Sequence, residues 1–163
     1  MTIRPATPDD VDAILPMVDG VAALHEGWDP AKYGFRARPS TMYRGWLRGR
    51  ATDPRGVLLV AEREPGGRLV GFVVGTVDAE IPIYRVTEYG FIHDLWVEPD
   101  YRHEGVGRQL VMRAVERFRD LGVTQVRLDT AAANDPAREL FKRCGFRVST
   151  LEMLVELEPK NQG

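Results

Sequence analysis

The stretch Val97-Glu-Pro-Asp-Tyr-Arg-His-Glu-Gly-Val-Gly-Arg108 joins a strand to a helix through two glycines, and it decides the fold. Val97 closes a run of β-forming residues, Pro99 and Asp100 make a turn, and Gly105-Val106-Gly107 opens the helix. The first N–H groups of a helix lack intrahelical partners and sit at the positive end of its dipole. Glycines there let a phosphate approach the backbone. Arg102, His103, Glu104, Gly105, Val106, Gly107 and Arg108 therefore read together as a candidate pyrophosphate cradle. The competing reading is a tight strand-to-helix turn with no ligand. A dinucleotide-binding unit fits less well, because Arg102-His103-Glu104 precedes the glycines and no alternating βαβ units surround them.

Working outward, residues 88–97 read as a strand leading into the cradle. Residues 57–61 and 69–77 are β-branched runs joined by Glu64-Pro65-Gly66-Gly67, a hairpin signal. Residues 40–50 are predicted helical, and residues 25–39 form an irregular loop with Pro30, Gly34 and Pro39. Thr7-Pro8-Asp9-Asp10 starts a helix whose stripe is Val11, Ile14, Leu15 and Val18, with Pro16 expected to kink or divide it. On the other side, Val106, Leu110, Ala114, Val115, Phe118 and Leu121 face inward along a helix that Gly122 ends. Residues 123–128 are a strand, Asn134-Asp135-Pro136 opens a helix that stops at Cys144-Gly145, and residues 146–157 supply a last strand or strand pair. The order β-α-α-β-β-β-α-β-α-β predicts an α/β fold, a mixed twisted sheet flanked by helices. One domain over residues 1–158 is expected, with residues 159–163 as a frayed tail.

The bulk numbers are consistent with that reading. The 163 residues, 44% hydrophobic and 28% charged, suffice for one globular core. A net charge of −2 gives no reason to expect nucleic acid or an anionic membrane as partner. No apolar run approaches the roughly 18 residues of a membrane span, and Thr2-Ile3-Arg4 reads as strand rather than leader. Cys144 stands alone, which suits a reducing cytoplasm, and three histidines with one cysteine show no metal-ligand spacing.

A second segment, Asn134-Asp-Pro-Ala137-Arg-Glu-Leu140-Phe141 ending in Gly145-Phe146, follows the cradle by one strand. With both segments in place, the chain resembles the GNAT superfamily of N-acetyltransferases over nearly its whole length. Arg102-x-x-Gly105-x-Gly107 is similar to that family's acyl-CoA pyrophosphate motif, and residues 91–97 resemble its fourth strand. The resemblance implies acetyl-CoA as acyl donor, no metal, and direct transfer to a primary amine of a small molecule in a ternary complex. It also implies that Leu95 and Val97 contact the pantetheine arm through the backbone. A bulge in that strand would aim an N–H at the thioester carbonyl. Asn134 would reach the pantetheine arm, a role that its use as a helix N-cap does not preclude. Relatives often form homodimers. Two alternatives share the cradle: an acyl-CoA sensor that has lost catalysis, and a protein N-terminal or lysine acetyltransferase.

Attack on a thioester requires a neutral amine, so a base must take up a proton. His93 is the first candidate, because some relatives place a glutamate thought to act as base on this strand. Glu88 and Asp94 are the runners-up, since alternation and a bulge leave their facing open. Phe141 departs from the family pattern. Many members carry tyrosine there, whose hydroxyl is thought to protonate the CoA sulfur, and phenylalanine has no proton to give. In the family the acceptor is held by the first two helices, their loop and the connection before the fourth strand, here roughly residues 25–50 and 80–90; the first of these segments carries six basic residues (Lys32, Arg36, Arg38, Arg44, Arg48, Arg50) against Glu26 and Asp29. Such an excess would suit an amine bearing a carboxylate or phosphate.

Overall fold

A computed structural model describes residues 1–36 and 38–159. The elements follow the predicted order up to the fourth helix. They are β1 (Thr2–Pro5), α1 (Val11–Trp28), α2 (Pro39–Thr52), β2 (Val57–Glu62), β3 (Leu69–Ala79), β4 (Glu88–Val97), α3 (Val106–Asp120), β5 (Val126–Leu128) and α4 (Asp135–Arg143). Short 3-10 turns precede α1 at Pro8–Asp10 and α3 at Pro99–Tyr101.

The five strands form one sheet in the order β1-β2-β3-β4-β5, antiparallel except for the parallel pair β4–β5. Sequence-adjacent strands give the β2–β3 and β3–β4 pairs, whereas β1 reaches β2 only after the chain has run through α1 and α2; in the β2–β3 turn Gly66 takes φ +74° and Gly67 N–H donates to Glu64 C=O at 2.7 Å. The parallel pair requires a crossover, and α3 provides it. Both faces of the sheet are covered. Val57, Leu59, Val73 and Ile92 pack against Val106, Leu110, Ala114 and Phe118 of α3 and Phe141 of α4. Leu58, Val60, Phe72 and Val74 pack against Val11, Ile14 and Val18 of α1 and Leu47 of α2. Phe118 fits between two glycines, since a Cβ on Gly75 or Gly90 would lie 2.7 or 2.6 Å from its ring.

Three expectations change. The irregular loop expected over residues 25–39 is shorter, because α1 continues to Trp28 and α2 starts at Pro39. Pro16 does not divide α1, which runs unbroken from Val11 to Trp28, and Pro16 lies on the exposed face. The strand expected over residues 146–157 does not form: residues 147–159 are exposed and carry no regular secondary structure. Strand propensity alone gives no ladder partner, and the short β5 does not take one from this chain. Of the expected tail, Pro159 is exposed and residues 160–163 lie outside the described residues.

Candidate active site

The site is built on β4, and one irregularity arranges it. Val74 of β3 faces Asp94, but the next residue, Gly75, faces Ile92, so His93 is a bulged extra residue. Alternation would put His93 and Asp94 on opposite faces; the bulge resets the phase. Ile92, Leu95 and Val97 consequently pack towards α3, whereas His93, Asp94 and Trp96 all face the α1–α2 layer. β5 pairs only with Gly90–Ile92 of β4. From the bulge onward, the β5-facing edge of β4 has no strand partner among the described residues.

His93 stands edge-on to Trp46 of α2 (centroids 5.2 Å apart) and to Phe91 (5.0 Å), with one side of the ring open to solvent. Its Nε2 lies 2.7 Å from Thr76 Oγ1, and Thr76 Oγ1 lies 2.6 Å from Asp78 Oδ1. The carboxylate only accepts, so the single hydroxyl proton of Thr76 goes to Asp78. The Thr76 oxygen then accepts from His93 Nε2–H, which leaves Nδ1 as the unprotonated nitrogen of the neutral ring. Burial pushes the imidazole pKa down, against the charges of Asp78 and Asp94, while Arg50 lowers it further. A neutral imidazole with a defined tautomer can accept a proton. Thr76 and Asp78 were not anticipated from sequence; the only signal was a Thr-x-Asp pair on one face of a strand.

Asp94 is deeply enclosed. Burial raises its pKa, the Tyr43 hydroxyl sits beside it, and its Oδ2 has no hydrogen-bond partner. The same surroundings push the Tyr43 phenol up to about 12. Trp96 Nε1 is likewise buried without a partner. Glu88, the remaining base candidate, is not brought to this cluster. It begins β4 opposite Ala79, and Arg55 holds its carboxylate at 2.6 Å.

The α3 N-terminus forms the other half. The first bond of the helix runs from Gln109 N–H to Gly105 C=O at 3.0 Å, and among the described residues the N–H groups of Val106, Gly107 and Arg108 have no backbone acceptor. His103 (φ +66°) and Gly105 (φ +83°) both adopt the left-handed conformation, which curls the backbone into a concave nest. For His103 this is strained backbone, of the kind found where a ligand loop must hold one shape. A Cβ on Gly105 would meet nothing within 4 Å, so space lies open there.

Gly107 differs from expectation. A Cβ on it would point at Leu140 Cδ2 (3.2 Å) and Val97 Cγ2 (3.6 Å), so its small size brings α3, α4 and β4 together. Arg102 turns from the cradle: its Nε donates to Val97 C=O at 2.9 Å and its guanidinium covers the Trp96 ring at 4.8 Å. Val106 is buried in the core, and Glu104 is exposed. Asn134 caps α4, accepting from Ala137 N–H at 3.2 Å. Phe141 is buried against Phe146. Burial raises the Cys144 thiol, which lies near Arg108.

The basic excess of residues 25–50 is largely neutralised. Asp12 pairs with Arg44 and Arg48, Asp53 with Arg50, and Glu152 with Lys32. Little net positive charge is left there to attract an acid-bearing acceptor. A separate cleft of about 510 Å³ lies between α1 and the β2–β3 turn, away from His93, and its Asp10 is held by Arg4. Among the described residues no helix is long and apolar enough to cross a membrane.

Comparison with known proteins extends the sequence resemblance. A model of the Acetyltransferase (GNAT) family matches residues 21–146. An uncharacterised N-acetyltransferase of Methanocaldococcus jannaschii is 32% identical over 146 residues, 89% of this chain and 60% of that protein. A mycothiol acetyltransferase of Propionibacterium freudenreichii is 31% identical over 145 residues, 89% of this chain and 42% of that protein. The chain thus spans about half the length of these curated relatives. A crystal structure of a Bacillus halodurans protein superposes with a TM-score of 0.83 at 21% identity, covering 97% of this chain and all of that one, which shows a common fold. The family match over most of the sequence, carried on this sheet and this strand-to-helix turn, places the chain in the Acetyltransferase (GNAT) family.

Proposed function

We propose that the chain transfers an acetyl group from acetyl-CoA to a primary amine of a small molecule by direct attack in a ternary complex. The observation that carries this reading is the β4 bulge. It sets His93 and Asp94 side by side on one face and leaves the neighbouring edge of β4 unpaired, just before the open α3 N-terminus. Acetyl-CoA supplies the acetyl carbonyl carbon and a thiolate leaving group.

The unpartnered N–H groups of Val106, Gly107 and Arg108 would hold the pyrophosphate, with the nest at His103–Gly105 shaping the approach. The pantetheine arm would run along the open edge at Leu95 and Val97, where the backbone takes the place of a missing strand. A bulge N–H on that edge stabilises charge developing on the carbonyl oxygen. The acceptor enters between His93, Trp46 and Tyr43. As the C–N bond forms and the C–S bond breaks, His93 Nδ1 takes the proton from nitrogen. Thr76 and Asp78 hold the ring in the tautomer that permits this.

Magnitudes favour certain acceptors. An alkylammonium near 10.4 lies far above an imidazole that burial holds below its usual value, so the proton transfer is steeply uphill. An α-amino group near 7.7–8.0 lies much closer to that imidazole, and the transfer is correspondingly less uphill. Amines of lowered basicity therefore suit this base. The thiolate, with a thiol pKa of about 8.5, leaves without a proton from Phe141.

The test is CoA release from acetyl-CoA across a panel of amines of graded pKa. Turnover is expected, highest for amines of low pKa, and His93→Ala should lower kcat by about 10²–10⁴-fold, the range of general-base contributions. The buried Phe141, with no hydroxyl for the leaving sulfur, favours a second reading, a sensor without catalysis. Tight acetyl-CoA binding with no turnover on any amine would establish that reading instead.

A further inference from the structure

The rings beside His93 continue well beyond the base itself. On α2, Met42 and Tyr43 lie four and three residues before Trp46 and so share its face, while Leu47 turns into the core. Tyr43 stands edge-on to Trp46 with centroids 5.3 Å apart, and both rings are only half-buried. Met42 is 72% exposed. On α1 and the loop after it, Trp28 and Tyr33 stand edge-on to His25 at 5.3 and 4.8 Å. Both groups reach Asp94, which the Tyr43 hydroxyl touches and whose carboxyl feels the charge of His25. Half-open rings and an exposed methionine beside a reaction centre are uncovered apolar surface, and an apolar group fits them.

The charges around the base point the same way. Arg44, Arg48 and Arg50 are each paired with Asp12 or Asp53. Asp78 and Asp94 rest on the hydroxyls of Thr76 and Tyr43 rather than on cations. A carboxylate or phosphate on the acceptor would be drawn up to these two negative side chains and is disfavoured. Of the two, a second ammonium has only Asp78, already bonded to Thr76, to pair with, because Asp94 is enclosed. It would give up hydration to lie against the rings. An uncharged ring avoids both costs and covers Trp46.

We propose that the acceptor is an arylalkyl amine, whose uncharged ring lies on the Met42–Trp46 face of α2 while its nitrogen meets His93 Nδ1. This assignment rests on the transferase reading above and adds to it the class of amine. Trp46 sets the preference. Its centroid is 5.2 Å from that of His93, so a ring resting on it carries a nitrogen one or two carbons away to the imidazole. An edge-to-face or offset contact with Trp46 favours an aromatic ring by about threefold to tenfold over an aliphatic group of similar area. Met42, unbranched and flexible, adapts to the outline of that ring.

The test compares amino acid amides, whose α-nitrogens are of similar basicity, by CoA release from acetyl-CoA. Phenylalanine amide should show a kcat/KM about 10²-fold above alanine amide and about threefold to tenfold above leucine amide. Free phenylalanine, which adds a carboxylate, and lysine amide, which adds an ammonium, should both fall below phenylalanine amide. Trp46→Leu should bring the phenylalanine-to-leucine ratio down to about one, whereas Trp46→Phe, which keeps a ring, should hold it above one. The ratios of the parent chain decide the proposal even where Trp46→Leu lowers stability. Equal rates on phenylalanine and leucine amides, a faster reaction of free phenylalanine or lysine amide, or a ratio that survives Trp46→Leu would overturn it and leave the transferase reading in place. Turnover confined to amines without a ring would do the same. Acetyl-CoA binding without turnover on any amine would instead overturn the transferase reading, and this proposal with it.

Discussion

At the scale of single residues, the site depends on proton bookkeeping around one imidazole. As the proposed base, His93 can accept a proton only when neutral, so on that reading the rate should fall as pH drops through its pKa, which burial holds below the usual value. Asp78 and Asp94 face the ring and raise that pKa, and Arg50 lowers it. Asp78→Asn removes one raising charge, and the acidic limb of the kcat profile should move to lower pH; a limb that stays in place would show that it belongs to another group. Thr76→Val removes the oxygen that accepts from Nε2–H. It should lower kcat about tenfold or more through loss of the tautomer preference, with the KM for acetyl-CoA unchanged, because Thr76 lies on the acceptor side of β4. A matching rise in KM would indicate a structural role instead.

At the scale of elements, helix starts carry the structure and the chemistry in different ways. The turn before α1 is fixed by Asp10, whose carboxylate takes Thr7 N–H at 2.7 Å and both terminal nitrogens of Arg4 at 2.8 and 2.9 Å. The Arg4 guanidinium holds the Asp10 carboxyl at about 2, well under its unfolded value. That stabilisation is complete above about pH 4 and is lost as pH falls through 2. Asp10→Asn should cost about 1–2 kcal/mol at neutral pH, less than the full shift implies because Arg4 is partly open to water, and urea melts at pH 7 and pH 3 would show the cost shrinking with acid. The α3 start is instead left open. Gly105→Ala strains a residue at φ +83° and should cost about 1 kcal/mol while weakening acetyl-CoA binding. Gly107→Val acts differently: its side chain meets Leu140, so destabilisation of about 1–3 kcal/mol should appear even without ligand.

At the scale of the whole molecule, α3 holds the two halves of the site in register. Phe118 is fully buried between Gly75 and Gly90, one glycine on each of the strands that flank the bulge. Phe118→Ala should lower unfolding stability by about 3–5 kcal/mol in chemical denaturation. Gly90→Ala, with no change in polarity, should also destabilise, because the new methyl and the ring claim one volume. A stability unchanged by Gly90→Ala would mean that the ring moves freely and that α3 does not fix the strand spacing.

The sequence by itself determined the element order up to the fourth helix, the hairpin at Gly66, the stop of α3 at Gly122 and the glycine-marked start of α3, because each is written in residues close together in the chain. Local conformational preference is enough for those features. The roles within the site were less legible. Asn134 could be read as a cap from its neighbours, but the true direction of Gly107 required Leu140, 33 positions away. The pairing of Thr76 with His93 depends on register across two strands, and register depends on which faces the helices bury. A one-residue bulge, invisible in composition or periodicity, decided that His93 and Asp94 face the same way. The last strand shows the limit from the other side. Residues 151–157 carry a clear strand pattern, yet a strand exists only where another edge supplies its hydrogen bonds, and among the described residues none does.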